Sequence, residues 1–283
     1  MGPFTLASGT KMPRMLYGTA WKELETERLV YTALKSGFRG IDTAGQPKHY
    51  REDLVGRGTT KFLAENIGTV SREDLYIQTK FTPLQGQDQQ LMPYDPSADL
   101  PTQVSQSLQQ SLVNLNVGYI DTFLLHSPLN TLEDTVIVWQ AMNEIKNSPE
   151  SCVRNIGISN ASLQLVKALY QVTGIKPAVI QNRFYSHTMY DHELRAWADK
   201  EGVLYQSFWT ITANPHLLRH PKILEISKDN KVSPELALYT VVLKEDICIL
   251  NGTTNEQRMN EDLRFIENNP VGKGLFSKIV SGS

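Results

Sequence analysis

Cysteine is nearly absent: Cys152 and Cys248 are the only two. Two thiols cannot staple a chain of 283 residues, which excludes a disulfide framework and predicts a reducing compartment. Net charge is also nearly absent. Lys plus Arg number 28 against 30 Asp plus Glu, a formal charge of -2 that leaves no electrostatic footprint for nucleic acid or an anionic membrane. No run approaches the roughly 18 apolar residues of a membrane span. The start, MGPFTLASGTKMP, lacks a basic region followed by an apolar one, so the reading is a cytosolic protein. Neither G-x-G-x-x-G nor G-x-x-x-x-G-K-[ST] occurs, which removes the phosphate turn an open doubly wound sheet would carry after its first strand. His187 and His192, like His216 and His220, have no converging acidic or sulfur ligand in the pattern, so no metal site is expected.

What the chain does have is alternation. Short apolar runs of strand length fall at Met15 to Thr19, Arg39 to Thr43, Leu75 to Lys80, Ile120 to His126, Val153 to Ser159, Ala178 to Gln181, Leu204 to Phe208 and Ile247 to Leu250. Between them lie segments whose apolar residues recur at helical spacing. Leu29, Val30, Ala33 and Leu34 are closed by Gly37, and Val104, Leu108, Leu112 and Leu115 end near Gly118. Asn160-Ala-Ser and Ser233-Pro-Glu read as helix starts. Eight such units in about 250 residues predict one closed (β/α)8 barrel of the TIM type, spanning residues 1–283 as a single domain. Residues 83–101, rich in Gln, Asp and Pro, predict a long loop after the third strand, and unstructured loops of that length usually serve function.

A barrel of this kind works at the carboxyl ends of its strands. The polar residues there are Asp42, Lys80, His126, Ser159 with Asn160, Gln181 and, with them, Phe208. Taken alone, Asp42 with Lys80 reads as a structural ion pair, and His126 as a hydrogen-bonded core histidine. Tyr50, in the loop GIDTAGQPKHYRED, changes that reading. A phenol is a poor acid at neutrality; a neighbouring ammonium held by a carboxylate lowers its pKa, and a neutral imidazole orients a carbonyl oxygen. Together they protonate an oxygen as negative charge develops on it, which is what carbonyl reduction requires, with the hydride coming from a cofactor.

At this point the chain resembles the aldo-keto reductases. The matching segments are GTAWK at 18–22, GIDTA at 40–44 with the loop tyrosine, LYIQTK at 75–80, IDTFLLHSP at 120–128, IGISN at 156–160, Gln181 closing AVIQN, and TTNEQR at 253–258. They run in family order over nearly the whole chain. The resemblance implies the barrel, NADPH bound without a Rossmann domain, Tyr50 as general acid tuned by Lys80 and Asp42, and His126 orienting the substrate. It implies Ser159, Asn160 and Gln181 on the nicotinamide carboxamide, Phe208 stacked on the ring, and Gly18 and Thr19 near its ribose. Trp209, Thr253, Thr254 and Arg258 join the cofactor site, and Trp21 lines the substrate pocket. The rival for Phe208 is a barrel-core aromatic, for Trp21 a buried structural tryptophan, and for Arg258 a solvated helix residue.

Three departures from the family pattern matter. QPKH at 46–49 lengthens the spacing before Tyr50 and leaves His49 as a competitor for its place. Gly252 stands where a lysine is usual, so one of two cations for the 2′-phosphate is missing; NADPH is preferred, with NADH possible. The chain ends soon after TTNEQR, so the C-terminal loop is short and the pocket open to bulky carbonyls. The leading expectation is an NADPH-dependent aldehyde or ketone reductase, a monomer acting on a small molecule with no nucleic-acid or membrane partner. The alternative is a cofactor-binding regulatory subunit or biosynthetic partner that keeps the barrel without turnover.

Overall fold

The computed structural model describes residues 2–267 and 272–281. All eight expected runs form strands, and they close into one parallel barrel. In chain order the barrel strands are β3 (Met15–Gly18), β4 (Gly40–Asp42), β5 (Tyr76–Phe81), β6 (Thr122–Leu125), β7 (Ile156–Ser159), β8 (Val179–Arg183), β9 (Leu204–Phe208) and β10 (Cys248–Asn251). β10 pairs back onto β3, with Ile249 opposite Met15 and Asn251 opposite Tyr17, so no edge remains. β5 is buried at every position because one face fills the barrel while the other is covered by helices.

The surrounding helices are α1 (Thr26–Lys35), α2 (Glu52–Glu65), α3 (Leu100–Leu115), α4 (Leu132–Asn147), α5 (Leu163–Thr173), α6 (His192–Glu201), α7 (Pro221–Asn230), α8 (Pro234–Leu243), α9 (Glu256–Glu267) and α10 (Leu275–Ser281). The predicted helix starts hold: Ser162 caps α5 through the Leu165 amide, and Ser233 caps α8 through that of Leu236, with Pro234 just inside. α3 ends earlier than expected. Asn116, with φ 54°, takes the left-handed C-cap in place of Gly118.

Two elements were not anticipated. The first residues form an antiparallel hairpin, β1 (Phe4–Thr5) with β2 (Lys11–Met12). Its Leu6 and Met12 join Leu16, Tyr76, Leu124, Val179 and Cys248 in a buried cluster. The tail is the second: residues 275–281 are helical, and Phe276 packs at 5.0 Å from Phe184 and 5.2 Å from Tyr190. Residues 268–271 and 282–283 of the expected C-terminal loop lie outside the described residues. No described helix is long and apolar enough to cross a membrane.

Candidate active site

A cavity of about 570 Å³ opens at the carboxyl ends of the strands, a size typical of sites for small organic ligands. At its floor stands Asp42, the last residue of β4, only 2% exposed. Lys80 of β5 reaches it with Nζ 2.8 Å from both carboxylate oxygens and 2.7 Å from the Thr43 carbonyl. Three donors of the ammonium are thereby committed. Asp42 Oδ1 also accepts from Gln78 Nε2 at 2.7 Å and Gln181 Nε2 at 2.9 Å, and both glutamines meet the Gln206 side chain. A buried ion pair is tolerated when its remaining lone pairs are satisfied in this way.

Tyr50 hangs above this pair. Its loop is folded by the amides of His49 and Tyr50, which both donate to the Gln46 carbonyl. Gln46 in turn donates to Gly86, tying the loop to the segment after β5. The ammonium of Lys80 lies 5.4 Å from the centroid of the Tyr50 ring, and the His126 ring meets that ring edge-on at 5.9 Å. The expected lowering of the phenol pKa is not what this geometry gives. Burial raises it, and the Asp42 carboxylate adds to that rise. Burial likewise lowers the Lys80 pKa, against the pull of Asp42.

Burial, Lys80 and His49 push the His126 imidazole down to about 3, so it is neutral at physiological pH. Thr82 Oγ1 sits 2.7 Å from Nδ1. With that hydroxyl donating, the ring proton is on Nε2, the tautomer that donates toward the cavity.

The wall expected to hold the nicotinamide is built from β7, β8 and β9. Ser159 Oγ donates to the Gln181 carbonyl at 2.6 Å, and Asn160, held at φ 56°, donates from Nδ2 to the His126 carbonyl at 2.9 Å. Among the described residues these bonds leave Asn160 Oδ1 and Gln181 Oε1 without a hydrogen-bond partner, in side chains that line the cavity. Phe208 and Trp209 line it as well, as do Gly18, Thr253 and Arg258. Arg258 forms no ion pair among the described residues, and its backbone amide is capped by Asn255 Oδ1. An open guanidinium and two open amide oxygens fit a dinucleotide with a carboxamide at one end and a phosphate at the other.

Thr19 and Thr254 are not brought into the cavity wall. The Thr19 hydroxyl is spent on the Asp42 carbonyl at 2.9 Å, and Thr254 is exposed. Trp21 does reach the cavity, but as a rim residue: it is 63% exposed and stacks on His49 at 3.6 Å. His49 therefore lies against Trp21 and leaves the central place to Tyr50. The structure also shows Gln78, Gln206, Arg183, Glu235 and Asp262 at the site, none of them singled out by sequence reasoning. Burial raises the Asp262 carboxyl to about 6. Nothing described beyond Asp262 lines the cavity.

A barrel whose mouth gathers a protonated phenol, a neutral imidazole and open acceptors for a dinucleotide has the equipment of a carbonyl oxidoreductase. Comparison with known proteins gives the family. The sequence matches the aldo/keto reductase family over residues 5–279, and the chain belongs to it. It is an NADP-dependent oxidoreductase acting on carbonyl groups. A D/L-glyceraldehyde reductase of Hypocrea jecorina is 29% identical over 252 residues, covering 80% of this chain and 70% of that one. An aldehyde reductase of Saccharomyces cerevisiae is 25% identical over 290 residues, 92% of this chain and 85% of its own. The aldose reductase of Schistosoma japonicum shares the fold with a TM-score of 0.82 at 22% identity, over 100% of this chain and 92% of that one. A Bombyx mori aldo-keto reductase in complex with NADP gives 0.78 at 22% identity, over 99% and 91%.

Proposed function

We propose that the chain reduces an aldehyde or ketone to an alcohol with Tyr50 as proton donor, His126 orienting the carbonyl, and Lys80 with Asp42 fixing the donor from below. The bound dinucleotide supplies the hydride. Tyr50 is held protonated in the empty site by burial, and it gives up that proton as negative charge grows on the carbonyl oxygen. The neutral imidazole of His126 offers an Nε2 proton to the same oxygen. Asn160, Ser159 and Gln181 hold the carboxamide, and Phe208 offers a face to the ring. Gly18, Trp209, Thr253 and Arg258 line the rest of the dinucleotide, with Arg258 on the 2′-phosphate. Thr19 acts from behind, by holding the Asp42 backbone. Gly252 offers no second cation at its own position, so NADPH is the preferred cofactor and NADH a usable one.

The observation that carries this reading is convergence: Tyr50, His126, Asn160, Gln181 and Arg258 come from five different segments of the chain and line one cavity. The exposed Trp21 rim and the absence of the described tail from the wall suit bulky or aromatic carbonyls. Changing Tyr50 to Phe removes the proton donor and little else. That variant is expected to lose reduction of aromatic aldehydes by at least about a hundredfold, while its affinity for NADPH, read by calorimetry, stays as in the wild type. Retained turnover would refute the assignment. If the wild type binds NADPH but oxidises it with no aldehyde or ketone of a broad panel, the chain is a binding subunit.

A further inference from the structure

Arg183 is the last residue of β8, two positions beyond Gln181, and its side chain lines the cavity. Its guanidinium carbon lies 4.3 Å from the centroid of the Trp209 ring and 5.5 Å from that of Tyr185. A guanidinium resting on an aromatic face keeps its five N–H donors in its own plane, directed away from the ring. Among the described residues none of those donors meets a carboxylate or a carbonyl. Elsewhere in the molecule Arg14, Arg28, Arg51, Arg72 and Arg154 all reach an acid. Arg183 and Arg258 are thus the arginines of the cavity wall, and both are unpaired within the described residues.

Trp209 adds an independent observation. Its backbone sits at φ 56°, the left-handed region that a bulky residue adopts only when its surroundings enforce it, and the indole is 47% exposed. That conformation supplies the face against which Arg183 rests. A strained residue and an unpaired cation, stacked together at the wall of the cavity, form a preorganised fork for an anion.

A reduced nicotinamide dinucleotide carries a pyrophosphate in both its forms and a 2′-phosphate in one. We propose that Arg183, stacked over the Trp209 ring, grips the pyrophosphate, leaving the 2′-phosphate to Arg258. The proposal rests on the cofactor reading above. It separates two roles: Arg183 sets affinity for dinucleotides of either kind, and Arg258 sets the preference between them.

The test is calorimetric titration of the purified full chain with NADPH and with NADH, no carbonyl present. Arg183→Gln keeps a planar polar end but removes the charge. It is expected to raise the Kd for both dinucleotides by the same factor, about tenfold or more, as for a lost charge-assisted contact. Arg258→Gln is expected to raise the Kd for NADPH and leave that for NADH within about twofold. Trp209→Leu, which removes the stacking face and no charge, should weaken both dinucleotides together by a smaller factor. The proposal is overturned if Arg183→Gln leaves both Kd values within about twofold of the wild type, or weakens NADPH alone. It is also overturned if cofactor affinity holds and Arg183→Gln instead lowers kcat/KM for a carboxylated aromatic aldehyde relative to the uncharged one. A wild type that binds both dinucleotides and reduces nothing would sink the proposed function and leave this comparison standing.

Discussion

At the level of single residues, the site turns on how buried charge is balanced. Asp42 and Lys80 are 2% and 1% exposed, and each is the other's main counter-charge. Asp42→Asn leaves the ammonium without its anion and is expected to destabilise the protein by about 3 to 5 kcal/mol in urea unfolding. A loss below about 1 kcal/mol would mean that Lys80 sheds its proton once the carboxylate is gone, the direction in which burial already moves it. His126 gives a pH test with a definite sign. Its folded pKa near 3 lies below the ordinary value of 6.5. The unfolded chain therefore binds more protons between these values, and stability falls as pH drops through that window. From pH 7 to pH 5 this group alone accounts for up to about 2 kcal/mol, so His126→Gln should flatten the wild-type decline by that much. An unchanged slope would show that the imidazole titrates normally. The strand-end residues Asp42, Lys80, His126 and Gln181 were legible because barrel chemistry sits at strand ends. Gln78 and Gln206 were not, since they fall in the middle of the expected runs Leu75 to Lys80 and Leu204 to Phe208, whereas Gln181 closes its own expected run. Arg183, Glu235 and Asp262 reach the cavity through tertiary placement, which spacing does not encode.

At the level of elements, strands and helices were readable wherever burial imposes a period and obscure where it does not. Seven of the barrel strands are four to six residues long and show an apolar run, and the three-residue β4 is marked by Ile41 before a polar strand end, whereas β1 and β2 are two residues each and leave no period to detect. Met189, Tyr190 and Asp191 take φ values of 50°, 54° and 51° without a glycine among them. Tertiary bonds enforce that turn: Asp191 accepts from Asn182 and Tyr205, and the Tyr190 hydroxyl meets His216. Helix α2 shows the same override in its packing. It lies against both α1 and α3, and a β-carbon at Gly56 would fall on the Asn114 carbonyl oxygen, while one at Gly58 would come 2.7 Å from that of Glu27. Propensity alone makes glycine to alanine in a helix favourable by about 1 kcal/mol. Overpacking against backbone costs about 1 to 3 kcal/mol, and the backbone here cannot rotate out of the way. Gly56→Ala is accordingly expected to lower the Tm. A raised Tm would show that α2 and α3 separate freely.

For the whole molecule, the barrel divides its labour along its axis. The carboxyl ends of the strands hold the cavity, and the opposite end is sealed by the N-terminal hairpin through Leu6 and Met12. Among the described residues the two ends are linked through the network under Asp42: Gln206 Nε2 lies 3.2 Å from Met12 Sδ, and the Tyr76 hydroxyl of the sealed cluster donates to Gln78 Oε1 at 3.1 Å. Leu6, 5% exposed, belongs to the seal and is not among the cavity-lining residues. Cutting it to alanine removes buried methyl groups and opens a void between the hairpin and the strands, a change that costs about 2 to 5 kcal/mol. If the ends are independent, Leu6→Ala loses that stability in urea unfolding while kcat/KM, measured well below its Tm, stays within about twofold of the wild type. Tyr50→Phe is expected to do the reverse, losing activity and keeping its unfolding midpoint. A parallel fall of kcat/KM with stability in Leu6→Ala would show that strain at the seal travels through Met12 and Gln206 to Asp42, and the base of the barrel would then count as part of the catalytic apparatus.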